Sequence, residues 1–254
     1  MSKKKSSLDE AAEQLELRSQ SISKGRSGSD SVVELSFCLD EDIVGVYPQA
    51  APPKANGDFQ DDGYLYFDRF PEPAGNPIEL RLQSGAEWTD VLSASIKYFC
   101  LLVNSTALEV FKRFDLGNVK YYEAAVLGKK KEKRDYTYIF ICNHVTLDDV
   151  DFPRTECFLV DMLSDPLGEI AVVDKADYLA KVQQANEGSL PDSEPFSRIA
   201  MGKVQLLPGH APSADIFGMS QLDTKTYVST PLRDALLKAG VSGLQFASNT
   251  RLFL

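Results

Sequence analysis

Apolar and polar residues alternate in Ile78-Glu-Leu-Arg-Leu82, which marks a half-buried strand. Two short runs rich in β-branched and aromatic residues, Val32–Phe37 and Gly63–Phe67, predict further strands around a Pro/Ala/Gly/Asn-rich loop, Pro48–Gly57. A second Pro/Gly-rich loop, Pro71–Pro77, leads into the alternating strand. The period changes after Leu101. Ala107, Val110, Phe111 and Phe114 recur at helical spacing, Thr106 and Glu109 have capping-box spacing, and Gly117-Asn118 offers a stop. Leu101–Tyr122 is therefore predicted as strand, helix, strand. The signature returns near the C-terminus, with Thr230 as cap, Pro231 at the first helical position, and Leu232, Ala235, Leu236 and Ala239 as the apolar stripe before Gly240.

A shift of 125 positions superposes the two units without a gap. It pairs Val103 with Val228, Ala107 with Leu232, Val110 with Ala235, Phe111 with Leu236, Phe114 with Ala239, Leu116 with Val241, Val119 with Leu244 and Tyr121 with Phe246. An internal duplication would produce this match, and so would two unrelated amphipathic helices with similar flanks. Tyr122–Val126 and Tyr136–Cys142 predict a hairpin with a charged tip, Gly128–Asp135. Farther along, Ala171–Val173 is predicted as a strand, Lys175–Gln184 as a short helix and Gln184–Ser197 as a polar loop. Val204–Leu207, Asp215–Met219 and Thr226–Ser229 add strand pieces. The assembly these elements imply is a single α+β domain over residues 31–254, a mostly antiparallel sheet with a few packed helices. Residues 1–30, with eight serines and the run Lys3-Lys4-Lys5, are expected to be a flexible tail, in which Leu8–Leu17 could form only a marginal isolated helix.

Composition narrows the classes. Of 254 residues, 43% are hydrophobic and 25% charged, close to globular averages, which excludes global disorder and fibrous repeats. The apolar stretches around Ile139–Cys142 and Val160 are too short to span a bilayer, and the N-terminal segment lacks the apolar core of a signal peptide, so a cytoplasmic location is expected. Cys38, Cys100, Cys142 and Cys157 are widely spaced, and a reduced, mostly buried state is expected. Charge changes the picture most. The chain carries 27 Lys and Arg against 37 Asp and Glu, and residues 1–30 hold 6 basic and 5 acidic residues, leaving −11 on the remainder. Such a body is unsuited to tracking phosphates and suits a basic protein partner.

Chemistry is sparse by comparison. Cys142, His144, Asp148, Asp149 and Asp151 contain metal-binding residue types, but Cys-x-His lacks the second half of a zinc spacing, and the alternative is a loop whose aspartates cap the next element. His144 and His210 are the only histidines, and neither sits with a nucleophile elbow or a cysteine-protease signature. Phosphate-binding glycine loops are absent, and no cofactor is expected. Lys129–Arg134 is expected to be a solvated hairpin tip, with Tyr121, Tyr122, Tyr136, Tyr138 and Phe140 packing between strands rather than stacking on bases. The acidic groups Asp40-Glu41-Asp42, Asp61-Asp62 and Asp148-Asp149 are the candidate contacts for a basic partner.

Leu101–Phe111, Val119–Tyr122, Tyr138–Asn143 with Asp148–Phe152, Ile216-Phe217 and Tyr227–Phe246 together resemble the immunity proteins of bacterial polymorphic toxin systems, family eleven in that classification, formerly a domain of unknown function. The likeness covers about Trp88 to Phe246 and rests on fold positions: Trp88, Tyr122, Asp151, Val228, Ser229, Gly243 and Phe246. It implies a non-enzymatic, cytoplasmic antitoxin that binds a cognate toxin, often a nuclease delivered by contact-dependent or type VI secretion, and occludes its working surface. It names no contact residue. The rival expectations are an adaptor that loads a secreted effector, and an enzyme that uses the cluster of Cys142, His144, Asp148, Asp149 and Asp151 to reverse the toxin's modification of its target.

Overall fold

Except for Ala171–Val173, each predicted run that the structure describes becomes an element close to its expected place, with shifts at the ends. The computed structural model describes residues 31–51, 70, 77–94, 99–129, 132–219 and 225–254. The tail with its Leu8–Leu17 segment, the predicted strand Gly63–Phe67, and Asp61 and Asp62 lie outside the described residues. In chain order the first elements are β1 (Val32–Phe37), α1 (Glu41–Val44), β2 (Ala50–Ala51), β3 (Ile78–Leu82), β4 (Val91–Leu92), β5 (Cys100–Val103), α2 (Ser105–Phe111), β6 (Val119–Leu127) and β7 (Lys133–Ile141). There follow β8 (Cys157–Val160), β9 (Pro166–Glu169), α3 (Lys175–Glu187), β10 (Arg198–Met201), β11 (Val204–Gln205), β12 (Ile216–Gly218), β13 (Thr226–Ser229), α4 (Thr230–Lys238), β14 (Leu244–Ser248) and β15 (Leu252–Phe253). The fold is α+β, and its strand pairs are antiparallel except β3 with β6 and β11 with β15.

The 125-residue match continues into the hydrogen-bonded topology. The larger sheet runs β2-β3-β6-β7-β5-β4, and a second runs β12-β13-β1-β14. In each, the strands before and after the helix flank a third, β7 or β1, that is antiparallel to both. Val91 pairs with Val103 and Ile216 with Val228, positions 125 apart on both strands. Ile139 pairs with Leu101 and Tyr121, and Leu35 with Thr226 and Phe246, again 125 apart. The parallel neighbour is repeated too: β3 lies beside Leu127, and β11 beside Leu252. Two unrelated amphipathic helices would not share this register across five strands. The molecule contains one structural unit twice, the second completed by strand β1 from the other end of the sequence.

Two aspartates join the units reciprocally. Asp90 accepts from the side chain of Asn104, the N-cap of its own helix α2 (2.7 Å), and from the backbone N–H and hydroxyl of Ser242 in the other unit (2.9 and 2.7 Å). Asp215, its counterpart, accepts from Ser229, the N-cap of α4 (2.6 Å), and from the N–H of Asp115 in the first unit (3.0 Å). The caps correct the expectation of Thr106 and Thr230. Asn104 and Ser229 have extended backbone and side chains that accept from Ala107 and Leu232, which places Thr230 inside the helix and Pro231 second in it. Between the units, Val33, Leu35, Val103, Phe111, Ile139, Ile216, Val228 and Leu236 fill one shared core.

Other expectations shift. Ala171–Val173 is not a strand: only Val172 is buried, and it packs as a single anchor in the core formed with Tyr178 and Phe152. Helix α3 runs three residues past Gln184, to Glu187, and ends where Gly188 adopts a left-handed backbone. The hairpin is longer than predicted, nine pairs from Val119↔Ile141 to Leu127↔Lys133. Strands β10, β8 and β9 form a separate three-stranded sheet beside the two units.

Candidate functional site

Asp40, Glu41 and Asp42 sit where β1 leaves its sheet. The Asp40 carboxylate caps α1 by accepting from the N–H of Asp42 (3.0 Å), and all three residues are exposed. The short helix ends at Gly45, whose left-handed backbone lies so close to Gly85 that a Cβ would stand 1.9 Å from its carbonyl oxygen. That close approach holds the acidic turn outward. Leu39, Ile43 and Tyr47 flank the carboxylates and remain 62%, 45% and 54% exposed, so charge and apolar surface share one strip.

Asp148 and Asp149 belong to a different corner and a different kind of contact. Asp149 closes a capping box: it accepts from the N–H (2.8 Å) and hydroxyl (2.9 Å) of Thr146, and lies 3.0 Å from His210 Nδ1. Partial burial pushes the Asp149 carboxyl up, but the bonds from Thr146 and His210 outweigh it and hold the group below its ordinary 3.8. Asp148 is exposed and holds Lys175 Nζ at 2.8 Å from both oxygens. Asp148 lines an open groove of about 360 Å³, with Asp151, Phe152, Asp174 and Lys175 also in its wall. Asp174 is itself committed as the N-cap of α3. Of the expected contacts, then, Glu41 and Asp42 point to solvent, Asp40 and Asp149 serve as caps, and Asp148 is ion-paired.

Among the described residues no group of three or more His, Cys, Asp or Glu side chains is placed to hold a metal. His144 forms a backbone bridge to Gly218 and sets its ring against Phe99, with 5.9 Å between centroids. Burial pushes the Cys100 thiol far up and the Cys157 thiol to about 11, so neither is a thiolate nucleophile at neutral pH. The positions carrying the family resemblance are structural. Trp88 stacks on Tyr136 with the Arg134 guanidinium over its ring, and Tyr122 meets Phe140 edge-on. Asp151 precedes a short 3-10 turn and pairs with Arg154 at 3.8 Å, Val228 is fully buried, Ser229 caps, and Phe246 packs against the shared core. Gly243 is required by a backbone φ of +92° and by Val91, whose carbonyl would be 2.0 Å from a Cβ.

No protein-family model matches the chain, and no curated protein matches it either. No helix among the described residues is long and apolar enough to cross a membrane.

One surface feature escapes sequence reasoning. Leu163 and Met162 are 77% and 68% exposed at the turn between β8 and β9, and Phe196, ahead of β10, is 65% exposed. The signal available was weak: two apolar residues between Asp161 and Asp165, and one phenylalanine in a polar loop.

Proposed function

We propose that this protein is a cytoplasmic immunity protein that binds a basic toxin domain, a nuclease in the first instance, and blocks it by occlusion rather than by chemistry. The observation that carries the reading is the Leu39–Tyr47 strip, where the outward carboxylates of Glu41 and Asp42 stand among three exposed apolar side chains. Apolar contact supplies affinity when desolvated, and the carboxylates steer a nucleic-acid-binding surface into place. The net charge of −10 and the resemblance at the fold positions support the same partner.

Growth of cells making the toxin domain encoded beside this gene, with and without this protein, tests the reading, followed by co-elution of the two. Rescue with a stoichiometric complex is expected. Replacing Glu41 and Asp42 together by lysine should slow association at least tenfold at low salt and weaken its salt dependence. Rescue without a complex would overturn occlusion in favour of an enzyme, and a complex without rescue would leave an adaptor.

A further inference from the structure

The corner formed by the β8–β9 turn and the start of β10 is built rigidly, yet it buries none of its large apolar side chains. The Asp161 carboxylate accepts from the N–H groups of Leu163 (2.9 Å) and Asp165 (2.7 Å), which fixes the turn with Met162 and Leu163 at its tip. Arg198, two residues after Phe196, pairs with Val160, which sets the start of β10 beside the β8–β9 turn. The Arg198 guanidinium ties the two sides together by donating to Ser164 Oγ at 2.8 Å. The preceding loop is equally constrained: Phe196 N–H donates to the Asn186 carbonyl (3.0 Å), and Ser197 Oγ accepts from Glu194 N–H (2.9 Å).

Backbone strain gathers here as well. Ser164, Asp192 and Phe196 have φ of +76°, +63° and +70°, and they are the only non-glycine residues with positive φ among the described residues. A left-handed backbone is costly for an aromatic residue, and here burial of the ring does not offset that cost. Folding alone would favour glycine at 196. Charge then selects the occupant. Residues 161–169 and 187–198 hold six acidic side chains and a single basic one, Arg198, which is already engaged. Such a rim repels phosphate-bearing surfaces and attracts a lysine- and arginine-rich one.

We infer that Met162, Leu163 and Phe196 form an anchor that inserts into an apolar pocket rimmed by basic residues on a protein partner. The inference rests on the partner-binding reading above and adds a second contact surface to the Leu39–Tyr47 strip. The probe is the inactivated toxin domain encoded beside this gene, with binding to the full-length protein measured by calorimetry and surface kinetics. Replacing Met162 and Leu163 together by serine should weaken binding at least a hundredfold with an unchanged melting temperature. Phe196→Gly should weaken it at least tenfold while the protein melts no lower than wild type, a combination that a structural role cannot produce. Asp192→Lys with Glu194→Lys should lower the association rate and flatten its salt dependence. Binding by the wild type that all these variants retain would overturn the anchor and leave the immunity reading standing. A wild type that does not bind would overturn both. A wild type that dimerises alone, with a monomeric Met162/Leu163 variant, would make the corner a self-contact and overturn the anchor.

Discussion

The two copies of the repeated unit agree in register and differ at their exits, and the difference separates scaffold from surface. After β7 the first unit turns inward. Asn143 accepts from Asn118 N–H (2.7 Å) and donates to the carbonyls of Leu116 and Ile216, bridging the two units. The residue in the same register after β1 is Leu39, which is 62% exposed. It opens the acidic strip instead of closing a joint. Where the second unit meets the first, beside the Asp90–Ser242 bonds, Gly243 lets the backbone lie directly against Val91. One joint is thus filled by an asparagine, and the other is made by a glycine. The register position left over has become exposed surface.

The largest expected effects test whether the units form one cooperative body. Phe111 and Leu236 occupy equivalent positions and are 0% and 1% exposed in the shared core. Phe111→Ala should cost about 3–5 kcal/mol and Leu236→Ala about 2–5 kcal/mol, each in a single urea transition. Two separated transitions in either variant would show that the units fold independently.

Next come the joints. Gly243→Ala should destabilise by about 1–3 kcal/mol through backbone strain at positive φ and collision with the Val91 carbonyl. Asn143→Ala should cost about 1–3 kcal/mol by a different route, leaving backbone groups of Leu116, Asn118 and Ile216 without their partner. Unchanged stability of either variant in chemical denaturation would refute the joint assigned to that residue.

Much of this architecture was legible in the chain because apolar periodicity is local. The stripe Ala107-Val110-Phe111 and its counterpart Leu232-Ala235-Leu236 located both helices and their repeat. The caps were misplaced because Thr106 and Thr230 are also capping residue types, and only the bonds from Asn104 and Ser229 to Asp90 and Asp215 decide between neighbours. The equivalence of β1 and β7 was hidden, since Leu35 and Ile139 are not 125 apart and reach the same register through long-range pairing. The candidate site was half legible. Glu41 and Asp42 are exposed, Asp149 caps as the alternative reading of its loop had it, and the exposure of Met162, Leu163 and Phe196 depends on turns that no local pattern marks.

A smaller effect probes the reciprocal aspartates. Partial burial pushes the Asp90 carboxyl up, but the hydrogen bonds from Ser242 and Asn104 outweigh it and hold the group below its ordinary 3.8. Its stabilisation is therefore complete above the unfolded-state value and lost as the pH falls through the lower, folded-state one. Asp90→Asn should flatten the acid limb of the stability–pH curve, and Asn104→Ala should remove about 1 kcal/mol at neutral pH. An unchanged acid limb in Asp90→Asn would show that this carboxylate does not set it.

A comparably small change is expected from the most drastic cut. In the first unit β6 and β7 are joined by a turn, closed by the Gly128 N–H donating to the Glu132 carbonyl at 2.8 Å. In the second, β14 with β15 and the strand β1 hold the same relation without that link, and Val32 and Leu252 share one core. If the units are equivalent, the position of the link is arbitrary. Joining Leu254 to Met1, so that residues 1–30 become the connection, and opening the chain between Lys130 and Lys131 exchanges the roles of the two units without removing a residue. Loop-closure entropy varies only logarithmically with loop length, so the permuted chain should fold with stability within about 1–2 kcal/mol of the original. A permuted chain that fails to fold, with an ordinary circular dichroism spectrum for the parent under the same conditions, would mean that the β6–β7 turn organises the first unit in a way the second does not share.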